Sequence, residues 1–154
     1  KLKMSLLSNA QKREEIETLL DSIGKYVHNL AMPYWAYSQE FDEQSRNYFM
    51  SKKEKSRGPF FNLVKKSNVF TKELEPILFS IEKRLHPYFD SKDFSIIDIM
   101  LASHLWGLYI VPEFQLPPLM HDYLQRIKKT TYFEYHADFW INERPLYLRS
   151  RNKS

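Results

Sequence analysis

The stretch Phe94-Ser95-Ile96-Ile97-Asp98-Ile99 contains the strongest helix-start signal in this sequence. Ser95 is placed as an N-cap, and Asp98 stands three residues later, where an acidic side chain reaches back to the N-cap backbone N–H. We therefore interpret Ser95 and Asp98 as a structural capping box. The residues that follow, 96–110, are apolar on nearly every face, which predicts a helix buried at the centre of a bundle.

Amphipathic segments on both sides of this helix predict further helices. An apolar stripe at three- and four-residue spacing runs from Ile16 to Tyr34, and Pro33 is expected to kink this first helix. A second helix is expected after the polar break at 38–42, a third over about 69–85 and a last one over about 118–130. With only three glycines in the chain, the pattern predicts an all-α fold, a bundle of about five to six helices.

The 154 residues are enough for one domain with a sizeable core, since 43 % of them are apolar. We expect a linker remnant at 1–8, a helical domain at 9–141 and a basic, disordered tail at 142–154. The sequence contains no cysteine, so the chain has no thiol for redox chemistry and no disulfide. The longest apolar run, 96–102, is interrupted by Asp98, and no contact with a membrane is predicted.

The formal net charge of +4 is carried by the C-terminal tail, because four basic residues and no acidic one follow Glu143. Residues 1–143 are therefore balanced in charge. A nucleic-acid-binding domain ordinarily has a basic face on its folded body, so no nucleic-acid partner is predicted. The run Lys52-Lys53-Glu54-Lys55 is interpreted as a solvated helix face and not as an anion site. A weaker option is a contact between the basic tail and an anionic surface.

The five histidines stand at positions 28, 86, 104, 121 and 136. None of them forms a pair at the i, i+4 spacing of helical metal ligands, and no metal site is predicted. His104 is interpreted as a hydrogen-bonded core residue, because it falls in the buried helix. His136 and Asp138 lack a nucleophile in a recognisable motif. We therefore predict no catalytic residue in this chain.

The first helix has a second face, formed by Gly24, His28, Ala31 and Trp35, roughly 90° from its apolar stripe. The small residues permit another helix or domain to approach closely, while His28 offers a hydrogen-bonding group and Trp35 a large amphipathic contact. His28 and Trp35 are accordingly the candidates for docking a partner or lining a cleft. The alternative interpretation is a wider core stripe in which Trp35 is simply buried.

Two sets of residues resemble a known family. The helix opened by Ser95-x-x-Asp98 resembles the sixth helix in the C-terminal helical domain of glutathione transferases. Upstream, Met32-Pro33-Tyr34-Trp35 and Arg46-Asn47-Tyr48-Phe49-Met50-Ser51-Lys52-Lys53-Glu54 resemble the (L)P-x-F and R-K-Y-F-x-x-K-K-E stretches of bacterial glutaredoxin 2. The resemblance covers roughly residues 14–133 and implies a bundle like the glutathione S-transferase C-terminal domain.

The resemblance also implies a function for the longer protein. That family joins this helical domain to an N-terminal thioredoxin-like domain, which holds a Cys-Pro-Tyr-Cys motif and binds glutathione. The chain is then a helical domain cut at the interdomain linker of a cytoplasmic glutathione-dependent disulfide oxidoreductase. Its partners are the thioredoxin-like domain and protein substrates, and glutathione is the cofactor of the parent protein, with none in this chain. The alternative is a non-enzymatic interaction module, because function does not follow from fold.

Overall fold

The computed structural model describes residues 10–112 and 114–133, which form helices and the turns between them. The helices are α1 (Ala10–Trp35), α2 (Glu43–Arg57), α3 (Phe60–Lys65), α4 (Ser67–Glu82), α5 (Ile96–Leu105), a 3₁₀ helix (Trp106–Ile110) and α6 (Pro118–Thr131). The all-α prediction is confirmed. The predicted linker at 1–8 and the predicted tail at 142–154 lie outside the described residues.

Helix α1 lies at the centre of the bundle and packs against α3, α4, α5 and the 3₁₀ helix. Its apolar stripe is buried as expected, and Ile16, Ile23 and Val27 are at most 1 % exposed. Each such side chain stabilises the fold by about 1.5–3 kcal/mol through burial. Pro33 is buried in the last turn, and the helix continues to Trp35 beyond it. Because α1 touches most of the other elements, it provides the framework on which they are placed.

The expectation that α5 is buried on every face is wrong. Ile97 and Leu101 are fully buried against the core, whereas Ile99 is 36 % exposed and Ser103 lies at the surface. One side of the helix is therefore open, even though apolar residues line it. Periodicity alone does not distinguish the two cases, because an apolar residue gives the same signal on a core face and on an open apolar face.

The α-helical geometry of α5 does not extend to Ile110 as predicted, because the chain turns into a 3₁₀ helix at Trp106. This short helix passes close to α1 at Gly107. A Cβ atom at that position would stand 3.4 Å from a methyl of Val27 and 3.5 Å from the Cβ of Ala31. A single Cβ would thus meet α1 at ordinary contact distance, so a small residue at this position suits the contact between the two elements.

The capping box at the start of α5 also connects this helix to other parts of the fold. The carboxylate of Asp98 accepts hydrogen bonds from the backbone N–H of Ser95 (2.8 Å) and from its hydroxyl (3.0 Å). The same carboxylate accepts from the backbone N–H of Phe89 (2.9 Å) and from the hydroxyl of Tyr123 (2.8 Å). Asp98 is fully buried. It therefore joins α5 to the turn after α4 and to α6.

Helix α2 lies at the edge of the molecule, and none of its residues is buried. Its N-cap Asp42 accepts a hydrogen bond from the backbone N–H of Ser45 at 2.7 Å. It ends at Gly58, whose φ of +83° is strained for a residue with a side chain. Next to α2, α3 contributes to a small second core that consists of Met32, Ala36, Phe60 and Leu63.

Candidate functional site

The open side of α5 and the 3₁₀ helix lies beside the second face of α1. It brings His104 next to His28 and Trp106 next to Trp35. These four residues are called the aromatic face below. All four are half-buried, so each ring is partly packed and partly in solvent. Sequence reasoning singled out His28 and Trp35, and the structure adds the two residues that pair with them.

The two histidines of the aromatic face are stacked. Their ring centroids are 5.9 Å apart and their planes differ by 23°. Gly24, one turn before His28 on α1, makes room for the pair. A Cβ atom on Gly24 would stand 3.3 Å from Cδ2 of His104, which is tighter than most contacts of a real Cβ. With an alanine at this position, the His104 ring would have to shift by a few tenths of an ångström.

The hydrogen bonds of His104 fix the orientation of its ring. Its Nδ1 lies 2.9 Å from the carbonyl oxygen of Met100, one turn earlier in α5. A carbonyl oxygen only accepts, so Nδ1 carries the proton in this bond. In the neutral ring, Nε2 is then an acceptor. The prediction of a hydrogen-bonded histidine agrees with this geometry, but His104 stands at the open face and not in the core.

The pKa of His28 is held below its ordinary value near 6.5. Burial of the ring is the main cause, because it disfavours the charged form. The positive charges of Arg57 and Lys53 on α2 and the proximity of His104 act in the same direction. His28 is accordingly a neutral imidazole at pH 7, available as both donor and acceptor.

The two tryptophans continue the aromatic face along α1. Trp35 and Trp106 meet edge to face, with centroids 5.5 Å apart and an interplanar angle of 78°. The indole N–H of Trp35 donates to the carboxylate of Glu40 at 3.3 Å. Trp35 also contacts Phe49 of α2, at 6.4 Å between centroids. The alternative of a wider core stripe fits part of this face, because Gly24 and Ala31 are buried and Trp35 packs against the core, although its ring stays partly exposed.

An apolar groove continues the aromatic face between α5 and α6. Its volume is about 530 Å³. The groove is lined by Ile99, Ala102, Ser103, Trp106, Ile127, Thr131 and Phe133. Trp106 belongs to both features, and its ring lies against that of Phe133 with 6.2 Å between centroids. The groove and the aromatic face together form one surface, which is mainly apolar with a few polar atoms.

The chemistry available at this surface is that of binding. No group of three or more His, Cys, Asp or Glu side chains in the described ranges could hold a metal ion. No helix within those ranges is long and apolar enough to cross a membrane. The surface instead offers four large rings, two imidazoles with hydrogen-bonding nitrogens and an apolar groove. Such a combination is typical of protein interfaces, where amphipathic aromatic residues are enriched.

Sequence reasoning missed His104 and Trp106 because both were assigned to a helix buried all round. A usable signal was present in the spacing of Ile99, Ser103 and Trp106, which places all three on one helical face. Two small residues, Gly24 and Gly107, stand on the facing elements. Glycines at such positions indicate close approach, and they could have pointed to the contact between these helices.

Comparison with family models gives a match to "Glutaredoxin 2, C terminal domain" over residues 15–138. Glutaredoxin 2 of Escherichia coli strain K12 is 31 % identical over 130 residues, which are 81 % of this chain and 60 % of that protein. Glutaredoxin 2 of Escherichia coli O157:H7 matches with the same values. The chain thus spans about 60 % of the length of the curated relatives it matches.

A solved structure agrees with the sequence matches. The crystal structure of glutaredoxin 2 from Salmonella typhimurium in complex with glutathione superposes on this chain with a TM-score of 0.72. The two sequences are 30 % identical, and the match covers 83 % of this chain and 61 % of the Salmonella chain. The helical bundle described above is therefore shared with that protein.

Proposed function

This chain belongs to the glutaredoxin 2 C-terminal domain family, and from that premise we propose that it is the helical part of a glutathione-dependent disulfide oxidoreductase. In this proposal an N-terminal thioredoxin-like domain carries the reacting thiol and binds glutathione. The helical part packs against that domain and forms one wall of its substrate cleft. The matched relatives are longer than this chain by an amount that a small domain would account for.

The observation that carries the proposal is the exposed surface made by the aromatic face and the apolar groove. Monomeric proteins rarely leave large contiguous apolar patches open, and such patches mark interaction sites. Half-buried tryptophans are also among the residues that contribute most to interface energies. We assign this surface to the thioredoxin-like domain, with His28 and Trp35 as contact or cleft residues.

Within the proposed reaction, the chemistry belongs to the other domain, because this chain has no cysteine. A thiolate there attacks the glutathione sulfur of a mixed disulfide, the S–S bond breaks, and the substrate thiolate leaves and takes up a proton. A second glutathione thiolate then attacks the enzyme–glutathione disulfide. This step releases oxidised glutathione and returns the enzyme thiolate. The helical part positions the domain and limits which disulfides enter.

The neutral state of His28 suits a place beside such a cleft. A neutral imidazole donates and accepts hydrogen bonds without adding a charge to a partly buried contact. His28 is thereby able to hydrogen-bond a backbone group of the thioredoxin-like domain or of a bound substrate. We assign it a binding role, because this chain has no cysteine thiol for it to activate.

The non-enzymatic interaction module is not favoured by the comparisons, because the named relatives are glutaredoxins. Thiol exchange driven by glutathione requires a reducing compartment. A cytoplasmic location is therefore part of the proposal.

The experiment is an activity assay on the protein isolated by antibody capture from its native cells. Reduction of hydroxyethyl disulfide by glutathione is followed through NADPH oxidation by glutathione reductase. We expect turnover by the native protein and none by the 154-residue chain. A native protein that gives no turnover above the uncatalysed rate contradicts the proposed activity.

A further inference from the structure

The end of α6 turns the chain towards the groove between α5 and α6. The helix stops at Thr131, and Tyr132 takes a left-handed backbone conformation with a φ of 56° and a ψ of 26°. A left-handed residue after a helix turns the chain away from the helix axis. Tyr132 itself is 92 % exposed, whereas Phe133 lines the groove and its ring lies against that of Trp106. The chain therefore reaches the groove at Phe133, the last residue that the structure describes.

The groove offers apolar surface that a further segment could cover. Ile99 and Phe133 are 36 % and 45 % exposed, and both line the groove. Ala102 lies between them at 5 % exposure, and the remaining lining residues are mostly apolar as well. Removal of such surface from water is favourable, and open apolar patches mark sites where another segment or protein packs. The groove therefore fits an occupant with large apolar side chains.

The stretch of sequence that comes next has such side chains. Residues 135–141, called the aromatic segment below, read Tyr-His-Ala-Asp-Phe-Trp-Ile. Four of these seven residues are large and apolar or aromatic, and none is a lysine or an arginine. Large apolar side chains that stand close together in a sequence ordinarily pack against other apolar surface. The aromatic segment thus has the composition that the groove requires.

The length and the attachment of the aromatic segment favour it over a separate partner. The groove follows α5 from Ile99 to Trp106, a distance of about 10 Å at the rise of a helix. Seven extended residues span about 23 Å, so the segment is long enough to reach the far end. Only Glu134 separates it from Phe133. A segment attached so closely has an effective concentration on the order of millimolar, which a separate protein or a second copy of the chain does not ordinarily reach.

We propose that the aromatic segment, 135–141, docks in the groove between α5 and α6 of its own chain. Phe139 and Trp140 supply the side chains that cover Ile99. Because Trp106 belongs to both the groove and the aromatic face, the docked segment borders that face and leaves it open. The docking itself does not depend on the proposed oxidoreductase activity. Its consequence for the second domain rests on the proposed function: that domain meets the aromatic face directly and the groove through the segment.

The test introduces pairs of cysteines into the full 154-residue chain, which has none of its own. The groove pair is Ser103→Cys with Ala137→Cys, and Ser103 lines the groove with an exposed side chain. The control pair is Glu73→Cys with Ala137→Cys, because Glu73 is exposed on α4 and does not line the groove. A disulfide forms only when the two Cα atoms come within roughly 4.4–6.8 Å. Oxidation by copper phenanthroline in dilute solution, followed on non-reducing gels, is expected to close the groove pair at least about fivefold faster than the control pair.

A second variant separates docking from simple reach. Phe139→Ser and Trp140→Ser are added to the groove pair, so the length of the chain between the two cysteines is unchanged while the apolar side chains are lost. Disulfide formation is expected to slow by at least about fivefold, because the segment loses the surface that packs in the groove. Arg149→Ser and Arg151→Ser in the groove pair are the matched control, outside the segment, and should leave the rate unchanged. Circular dichroism establishes that each variant keeps its helices, and the comparison of the two cysteine pairs stands even if the serine variant does not fold.

Three results overturn the proposal. The first is an equal rate for the groove pair and the control pair, or for the groove pair with and without the two serines. The second is a disulfide-linked dimer in place of the intramolecular bond, because a second copy then occupies the groove. The third is a groove pair that closes in the 154-residue chain and stays open in the longer native protein, because the second domain then takes the groove. None of these outcomes decides the oxidoreductase proposal, which the activity assay tests separately.

Discussion

Asp98 shows how a single buried carboxylate joins distant parts of the chain. It accepts from groups in α5, in the turn after α4 and in α6, so four donors depend on one side chain. A buried carboxylate is stable only when it is paired or hydrogen-bonded. The donors in turn lose their acceptor if the carboxylate is removed. The stability of the bundle is therefore unusually sensitive to this position.

We predict that Asp98→Ala lowers the free energy of unfolding by about 3 kcal/mol or more, because it leaves buried donors without an acceptor. Ser95→Ala is expected to lower it by about 1 kcal/mol, the usual effect of losing an N-cap. Urea denaturation monitored by circular dichroism measures both. Glu73→Ala, at an exposed position of α4, serves as the control and should change stability by less than about 0.5 kcal/mol. Unchanged stability in Asp98→Ala would contradict the role given to its hydrogen bonds.

The lowered pKa of His28 predicts a pH dependence of stability. In the unfolded chain this histidine takes up a proton near pH 6.5, whereas in the folded chain it does so only at lower pH. Between the two values the unfolded state binds more protons, so stability falls as the pH is lowered through about 6.5 and levels off below the folded-state pKa. His28→Gln removes this contribution.

The measurement is urea unfolding at a series of pH values between about 7.5 and 5, compared between the unchanged chain and His28→Gln. The variant is expected to lose less stability over that range. Arg57→Gln should raise the pKa of His28, since it removes a nearby positive charge, and a histidine NMR titration detects that shift. If the free energy of unfolding depends on pH equally in the unchanged chain and in His28→Gln, the pKa of His28 is not lowered in the folded chain.

At the residue scale, the sequence predicted contacts within a local motif, because the residues of such a motif stand at a fixed spacing. Ser95 and Asp98 could be placed because a capping box needs only four consecutive residues. The further partners of Asp98 could not be predicted, since Phe89 and Tyr123 approach it through the tertiary fold. The same holds for His104, whose contact with His28 joins α1 to α5. Contacts between elements leave no fixed spacing in the sequence.

At the scale of elements, the approach of the 3₁₀ helix to α1 determines where the aromatic face lies. Gly107 lies where the 3₁₀ helix meets α1 and faces Val27 and Ala31. We predict that Gly107→Val destabilises the fold by about 1–3 kcal/mol, because its side chain forces the two helices apart. Gly107→Ala is the control and should cost less, since a single Cβ meets its neighbours at ordinary contact distance.

Thermal unfolding of both Gly107 variants measures the difference, and the tryptophan fluorescence spectrum gives a second readout. Separation of the helices in Gly107→Val also parts Trp106 from Trp35, which changes the environment of both indoles. Equal melting temperatures for the valine and alanine variants would show that the two helices are not in close contact at this point.

The helices themselves were largely predictable, because hydrophobic periodicity is a local signal. The helix expected over about 69–85 is α4, at Ser67–Glu82, and the last expected helix is α6, at Pro118–Thr131. Both occur within a few residues of the expected ranges. The burial of α5 was predicted wrongly on its outer side. Its apolar composition reflects two different surfaces, the core and the open surface that includes the groove. Sequence alone does not separate them, since both favour the same side chains.

At the scale of the whole molecule, the aromatic face and the groove are proposed to pack against a second domain. We predict that Trp106→Ala in the native protein weakens packing between its domains and lowers glutathione-dependent turnover. Leu119→Ala is the control, because Leu119 is 62 % exposed on α6 and does not line the groove. Hydrogen exchange of α5, read by mass spectrometry in both variants, reports the loss of packing. If hydrogen exchange of α5 is unchanged in Trp106→Ala, the second domain does not pack on this surface.

The central claim is that this helical bundle works as one domain of a longer glutaredoxin, and the mass of the native protein tests it most directly. Antibody capture from native cells followed by intact mass spectrometry gives that mass. We predict a value above the 18.6 kDa of this chain by about 8–9 kDa or more, since a thioredoxin-like domain of about 80 residues accounts for that difference. A native mass of 18.6 kDa would contradict the claim, because a bundle without cysteine has no thiol to exchange.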